Sequence, residues 1–187
     1  MAEEEVKEEQ TQEQAPEGDA KPAAASGEKV PLSKRVIGGV IDSVVAGVAS
    51  AIAGTVGGFI HIAVGGLLGA AVGGAYMLLR DSILGNGQSI GKKVMKYQAV
   101  GPDGKPCPQE LSIKRNVPFA VGYAVNALFS ILLVIPGLGA IIAGIAGLLA
   151  TPILILIPIV ELYFVHSDPQ GNRWGDKFAG TTTKLVG

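Results

Sequence analysis

The sequence has few of the residues on which soluble folds and many catalytic or metal sites depend. Of its 187 residues only 17% are charged and 5% are aromatic, and there are one cysteine and two histidines. A soluble domain typically carries about 25% charged residues, so the composition disfavours a soluble protein. The single cysteine excludes an internal disulfide and any metal site built from several cysteines. Composition also excludes collagen-like and coiled-coil chains.

Motifs of common enzyme classes are missing as well. No Gly-x-Ser-x-Gly nucleophile elbow is present. Residues 85–93 approach the spacing of a phosphate-binding loop, but that motif requires Gly at position 86 and Ser or Thr at position 93, where the chain has Asn86 and Lys93. We therefore expect a protein that is not an enzyme, with no catalytic residues, no metal and no cofactor.

The charges that are present are segregated along the chain. The net charge is only -1, yet residues 1–30 contain nine acidic residues and three lysines. This segment has Val6 and Val30 as its only large aliphatic residues after Met1, so it cannot bury enough apolar area to offset the entropy of ordering. The sequence predicts a disordered acidic tail over residues 1–30 without a secretory signal. Two interpretations remain open, a solvated spacer and a binding site for a protein partner.

Two long apolar blocks, residues 36–79 and 117–165, follow the tail. A helix needs roughly 20 residues to cross the hydrocarbon core, and glycine- or proline-containing breaks divide each block near its middle. The fold class is therefore all-α, a polytopic membrane domain over residues 31–187, with a re-entrant second block as the alternative. The four predicted membrane helices lie at about 36–55, 59–79, 117–135 and 140–165.

The basic residues outside the tail predict the orientation of these helices. All twelve lie before the first helix, in the loop 80–116 or in the C-terminal segment 166–187. With four spans, these three regions fall on one side of the membrane, which the positive-inside rule makes cytoplasmic. We expect both termini of this multi-pass plasma-membrane protein to be cytoplasmic.

Small residues dominate the first block, which contains 11 glycines. Gly65, Gly69 and Gly73 recur every four residues and therefore share one helix face. Within lipid, small residues drive helix association because they let two backbones approach closely. The stripe predicts either packing within one subunit or a self-association surface of a homo-oligomer.

Asp42 and Glu161 are the only formally charged residues inside the two blocks. A carboxylate within a membrane helix is costly unless it is paired, protonated or hydrated. If the first and fourth helices are neighbours, the two carboxyl groups form a site for a proton or a small cation. The alternative is a structural ion pair of Asp42 with Arg35, Arg80 or Arg115.

The central loop is basic and has few aromatic residues among its lysines. This pattern favours a phospholipid surface over nucleic acid. We expect Lys92, Lys93 and Lys96 to face anionic lipid headgroups of the bilayer.

Several short motifs between residues 32 and 187 are similar to a known family. They are Arg35-Val36-Ile37-Gly38-Gly39-Val40-Ile41-Asp42, Gln88-Ser89-Ile90-Gly91-Lys92, Arg115, and Arg173-Trp174-Gly175-Asp176-Lys177-Phe178-Ala179-Gly180-Thr181. Together they resemble the RDD family of bacterial membrane proteins, which is named for one arginine and two aspartates.

The resemblance implies an inner-membrane location and the signature trio Arg35, Asp42 and Asp176. Members usually have histidine where this chain has Gly175, so a histidine-dependent role there is not expected. We expect Arg35 and Asp176 to pair at the cytoplasmic surface. For the family, transport of unidentified ligands is suggested, and sodium/proton exchange is proposed for some members.

Two functions are consistent with these features. The first is transport of an unidentified small ligand, or cation/proton exchange through the embedded Asp42. The alternative is a non-catalytic adaptor, assembly factor or lipid-organising protein that acts through its cytoplasmic tail and loops.

Overall fold

The computed structural model describes residues 29–186. The predicted tail therefore lies outside the described residues except for its last two. Lys29 donates a hydrogen bond of 3.0 Å from Nζ to the carbonyl oxygen of Asp168, and Val30 is fully buried. Residues 29 and 30 thus pack on the folded part of the chain.

Helices make up most of the described chain, and their ends follow local sequence signals. Pro31 and Pro108 precede two of them, consistent with the preference of proline for helix starts. His61 accepts a hydrogen bond from the backbone N–H of Ala63 and caps another. The elements are α1 (Leu32–Gly58), α2 (Ile62–Leu79), α3 (Ile90–Val94), β1 (Tyr97–Val100), α4 (Gln109–Leu132), α5 (Gly139–Ser167), α6 (Trp174–Ala179) and β2 (Thr182–Leu185).

Three of these helices, α1, α2 and α5, are long and apolar enough to cross a membrane. The third predicted span corresponds to α4, which is not among them, so four spans are not reached by this criterion. α4 begins at Gln109, before the predicted start of this span. Residues 109–116 are helical although most of them are polar, and a search for apolar runs misses such residues. α5 continues through Pro152 and Pro158 as one helix, where the sequence also allowed a re-entrant segment.

The all-α prediction is incomplete, because β1 and β2 form a two-stranded antiparallel sheet. Tyr97 pairs with Leu185 and Val100 with Thr182. The strands come from the central loop and from the C-terminal segment, so neither segment alone indicates the pairing. The sheet joins these two segments to each other.

Helix packing runs from α1 to α2, from α2 to α4 and from α4 to α5, whereas α1 and α5 share no extensive contact. The predicted glycine stripe lies in the interface between α1 and α2. A side chain at Gly65 would meet backbone atoms of Gly54 and Gly58, and one at Gly69 would meet Ser50. A side chain at Gly73 would also meet Ser50. We call this interface the glycine seam; here the stripe packs within one subunit.

The two ends of the bundle differ in composition. At one end, Arg35 near the start of α1 meets Asp176 of α6, and Arg80 after α2 meets Asn116 of α4. We call this the charged end. At the other, residues 59–61 and 133–138 connect the helices, and we call it the turn end.

Candidate functional site

Nine buried polar side chains gather at the charged end. They come from five parts of the chain: α1, the residue pair after α2, α3, α4 and the segment containing α6. We call them the charged cluster. Its members are Arg35, Asp42, Arg80, Asp81, Lys92, Arg115, Asn116, Arg173 and Asp176.

Asp176 is the most highly connected carboxylate of the charged cluster. It is fully buried and lies 2.6 Å from Nη2 of Arg115, 3.1 Å from Nε of Arg173 and 3.6 Å from Nη1 of Arg35. Burial alone would raise its pKa, but the three guanidinium groups outweigh burial and lower the pKa to about 2. The contact with Arg35 is the pair that the sequence predicted. Asp176 therefore ties α1, α4 and α6 together.

Asp81 is the second anionic centre, and the sequence motifs did not single it out. Lys92 donates a short hydrogen bond to it, Nε of Arg115 lies 3.4 Å from its Oδ2, and Asn116 donates to it at 3.1 Å. Burial opposes ionisation, but the charges of Lys92 and Arg115 hold the pKa of Asp81 well below its usual range. Burial lowers the pKa of Lys92 to about 8, although Asp81 acts in the opposite direction.

Asn116 and Phe119 on α4 bring two further arginines together. The Oδ1 atom of Asn116 accepts hydrogen bonds of 2.9 Å from Arg80 and 2.7 Å from Arg173. The same two guanidinium groups lie 5.0 and 4.9 Å from the centre of the Phe119 ring, a cation–π distance. One amide oxygen and one ring thus hold two like charges in a buried position.

Asp42 anchors the segment that follows α2. Its Oδ1 accepts from the Tyr76 hydroxyl at 3.0 Å and from the Gly91 N–H at 2.8 Å, and its Oδ2 accepts from Ser89 at 2.5 Å. Nη1 of Arg80 lies 3.7 Å from Oδ2, which is one of the three ion pairs considered for Asp42. The Gln88–Lys92 motif therefore binds the carboxylate of Asp42 through the Ser89 hydroxyl and the Gly91 N–H.

The close approach of α3 to α1 explains the glycine in this motif. A side chain at Gly91 would collide with the carbonyl group of Gly38. Ser89 also caps α3 by accepting a hydrogen bond from the N–H of Lys92. The motif therefore combines a close backbone contact, a helix cap and a carboxylate ligand.

The expectation that Lys92 faces lipid headgroups is wrong. Its side chain is 6% exposed and forms an ion pair with Asp81, because the short helix α3 turns it towards the bundle. Lys93 and Lys96 are exposed. Local composition marks all three as basic but does not distinguish the inward-facing one.

Glu161 on α5 is buried next to Gly175. Its carboxylate accepts a hydrogen bond from the Gly175 N–H at 3.3 Å, and a side chain at Gly175 would collide with the carbonyl of Arg115. Within residues 29–186 no hydrogen bond joins Glu161 to Asp42. The two carboxyl groups that the sequence suggested as a pair have separate partners.

Asp42 and Glu161 nevertheless line one cavity of about 460 Å³, which also extends between α1 and α5. Val36, Val40, Pro158 and Leu162 form its apolar walls. The charged side chains that line it are Arg35, Asp42, Arg80, Lys92, Arg115, Glu161 and Arg173. We call it the charged cavity. Within residues 29–186, no three His, Cys, Asp or Glu side chains are placed to hold a metal ion.

A second cavity of about 770 Å³ lies nearer the turn end, between α1, α2 and α4. Its polar residues include Ser50, Tyr123, Asn126 and Ser130. The hydroxyl oxygen of Ser50 is buried and has no hydrogen-bond partner within residues 29–186. We call this the seam cavity, since it borders the glycine seam.

Local sequence reasoning missed Asp81 and Asn116 as members of the candidate site, and it named Arg173 only as part of a family-like motif. Asp81 directly follows Arg80 and precedes a loop, so its surroundings resemble an ordinary solvated turn. Asn116 stands among polar residues at the start of an apolar block. The one available signal was that all three lie within two residues of an apolar block or inside a family-like motif.

Comparison with known proteins supports one assignment. The protein-family model described as "RDD family" matches residues 29–180, a range that contains all nine residues of the charged cluster. No curated protein and no solved structure shows significant similarity to the chain.

Proposed function

The chain belongs to the RDD family, and from that premise we propose that it is a four-span membrane transporter that binds a small, negatively charged ligand in the charged cavity. The apolar helices and the family assignment establish only a membrane protein. The observation that carries the proposal is a cavity with five basic and two acidic side chains on its lining.

The contacts at the charged end support α4 as the fourth span. Arg35 near the start of α1 and Asp176 after α5 are in contact. If only α1, α2 and α5 crossed the membrane, these residues would lie on opposite sides of it. A crossing by α4 would return the chain to the side on which α1 begins. The lysines and arginines at that end support a cytoplasmic location for it under the positive-inside rule.

The arrangement of the acidic side chains favours an anion over a cation as the ligand. Both oxygens of Asp42 already accept hydrogen bonds from Tyr76, Ser89 and Gly91. Asp81 and Asp176 do not line the charged cavity. A ligand in this cavity therefore meets mainly guanidinium and ammonium groups, which bind phosphate and carboxylate groups well.

Glu161 supports proton coupling as a second candidate property. It lines the charged cavity, and among the described residues its carboxylate accepts hydrogen bonds only from the Gly175 N–H. A proton bound there would make the cavity more positive and would strengthen anion binding. This interpretation retains the exchange chemistry suggested for Asp42 but transfers the proton to Glu161.

Transport requires that the cavities become accessible from both sides of the membrane, and this property can be tested without knowing the ligand. In a Cys107→Ala background, Ser43→Cys lies in the charged cavity and Ser130→Cys in the seam cavity. We expect each to react with a membrane-impermeant thiol reagent from both sides, at unequal rates. Reaction of each cysteine from one side only contradicts transport.

The second test separates anion from cation transport. A sodium gradient is imposed on vesicles that are loaded with a pH-sensitive dye and contain either the wild type or Asp42→Asn. We expect no sodium-dependent proton flux that the wild type shows and Asp42→Asn lacks. A sodium-dependent flux lost in Asp42→Asn but retained in Glu161→Gln would instead assign cation exchange to Asp42.

Glu110→Cys and Ile135→Cys in the same background report orientation. Both residues are exposed and lie at opposite ends of α4 and the following turn. We expect Glu110→Cys to be labelled only from the cytoplasmic side and Ile135→Cys only from outside.

A further inference from the structure

The charged cavity joins a cationic floor to an apolar, laterally open cleft. α1 and α5 form its walls without packing extensively against each other. The wall residue Val40 is 57% exposed and Leu162 is 39% exposed. In a bilayer these exposed apolar side chains border lipid, so the cleft between α1 and α5 is open towards the acyl chains.

The floor of the cavity has unused hydrogen-bond donors. Nε of Arg35 and Nη1 of Arg115 are buried and have no hydrogen-bond partner among the described residues. The Arg35 side chain is 8% exposed and that of Arg115 is 1% exposed. A buried donor without an acceptor is costly, and a bound anion would supply acceptors to these guanidinium groups.

The net charge of the site also calls for an anion. Five basic side chains, from the charged cluster, line the cavity together with Asp42 and Glu161. Asp81 and Asp176 bring the acidic residues of the site to four, so one positive charge remains even when all four are ionised. The volume of about 460 Å³ lies in the range of pockets for organic ligands rather than for single ions.

We infer that the charged cavity binds a membrane-resident amphiphile with a terminal phosphate group, whose phosphate contacts Arg35 and Arg115 and whose tail lies in the cleft between α1 and α5. This inference deepens the proposed function and rests on it, because it names the class of the negatively charged ligand. Entry through the cleft requires no passage through water. The basic floor selects the phosphate, and the apolar walls select the tail.

Binding to the full-length protein in neutral-detergent micelles tests the inference. The probes are phosphatidic acid, phosphatidylcholine and inorganic phosphate, and retained lipid is measured by native mass spectrometry. We expect phosphatidic acid to bind at least about tenfold more tightly than phosphatidylcholine, because choline blocks and neutralises the phosphate of the latter, and hydrogen bonds to a charged terminal phosphate contribute that much. Millimolar inorganic phosphate should displace only a minor part of it.

Two glycines on α1 provide a matched pair of variants. Gly39 lines the cavity, whereas Gly47, two turns further along, does not, and a Cβ atom has no neighbour within 4 Å at either position. Gly39→Leu should fill the cleft and reduce phosphatidic acid binding at least about tenfold, whereas Gly47→Leu should bind like the wild type.

A second matched pair of variants tests the same cleft in case Gly39→Leu does not fold. Val40 lines the cavity and is 57% exposed, while Val48 lies outside it and is 54% exposed. Val40→Trp should weaken phosphatidic acid binding and Val48→Trp should not, with equal thermal unfolding midpoints in detergent for the two variants.

Other results would overturn the inference or separate it from transport. Equal binding of phosphatidic acid and phosphatidylcholine, or unchanged binding in both cleft variants, overturns the inference. Binding of inorganic phosphate that is as tight as that of phosphatidic acid also overturns it, while leaving an anion transporter in place. Conversely, one-sided thiol labelling in the accessibility experiment removes transport but leaves selective lipid binding intact.

Discussion

The charged end and the glycine seam are stabilised by opposite means. At the charged end, buried ions from five parts of the chain satisfy one another, as in the contact of Arg115 with Asp176 at 2.6 Å. In the glycine seam, backbones of two consecutive helices approach closely, and a side chain at Gly65 would lie 2.5 Å from the Gly54 carbonyl oxygen. The seam needs small residues and no charge, whereas the charged end needs every partner present.

This difference indicates where a ligand can act. Among the described residues, the glycine seam has one buried donor without a partner, the hydroxyl group of Ser50, and its close packing is suited to holding α1 against α2. At the charged end, Arg35 and Arg115 have buried donors without acceptors among the described residues. The proposed ligand would therefore find unsatisfied donors at the charged end, whereas close backbone packing holds α1 and α2 together in the seam.

Removal of one carboxylate from the charged end should produce the largest effect. Asp176→Asn keeps the shape of the side chain but leaves three buried guanidinium groups with less opposing charge. We expect a loss of roughly 3–5 kcal/mol in the free energy of unfolding in mixed micelles. A loss below that of a typical surface substitution would show that the charged cluster does not stabilise the fold.

A large side chain in the glycine seam should produce the next largest effect. Gly65→Leu brings atoms against the backbone of Gly54 and Gly58, which cannot move aside as a side chain can. We expect a loss of about 3 kcal/mol in the same unfolding measurement, at the upper end of overpacking costs. Gly47→Leu is the control, because a Cβ atom there meets nothing within 4 Å; equal losses in both would refute close packing in the seam.

Acid should weaken the charged end but not the seam. The pKa of Asp176 is about 2 in the folded protein, below the unfolded value of about 3.9, so its contribution is complete above the unfolded pKa and is lost as the pH falls through the folded pKa. Between about pH 5 and pH 2 we expect a decrease on the order of 2 kcal/mol from this group. The decrease should be smaller in Asp176→Asn and unchanged in Gly65→Leu; identical pH profiles for Asp176→Asn and the wild type would contradict this role.

An exposed ion pair should produce the smallest effect. Asp103 and Lys105 lie 3.9 Å apart, with 55% and 81% of their side chains exposed. Asp103→Asn should change the free energy of unfolding by less than about 1 kcal/mol. A change as large as that of Asp176→Asn would remove burial as the explanation for the difference between the two carboxylates.

The sequence predicted the membrane helices well where composition alone identifies them. α2 and α5 end within a few residues of the predicted bounds, because long apolar runs and their breaks are local features. α4 was shifted because its first turns are polar, and the strands β1 and β2 were not predicted because each is only four residues long. A short strand is defined by its partner and not by its own composition.

The candidate site was predicted only in part. Arg35, Asp42 and Asp176 came from a family resemblance, and the structure places all three in the charged cluster. Lys92 was assigned to the lipid surface and is buried on Asp81. The nearby lysines Lys93 and Lys96 are exposed, so basic character alone could not distinguish the buried lysine from the exposed ones.

The sequence by itself therefore determined the family, the apolar segments and the confinement of the lysines and arginines of residues 29–186 to one end of the bundle. Each of these follows from local composition or from short motifs, since a residue's preference for lipid or water depends little on its partners. Apart from the pair of Arg35 and Asp176, only the tertiary structure decided which donors surround each buried carboxylate. Those partners are 61 residues apart for Arg115 and Asp176 and 49 apart for Gly91 and Asp42, so no local feature of the sequence brings them together before the helices have packed.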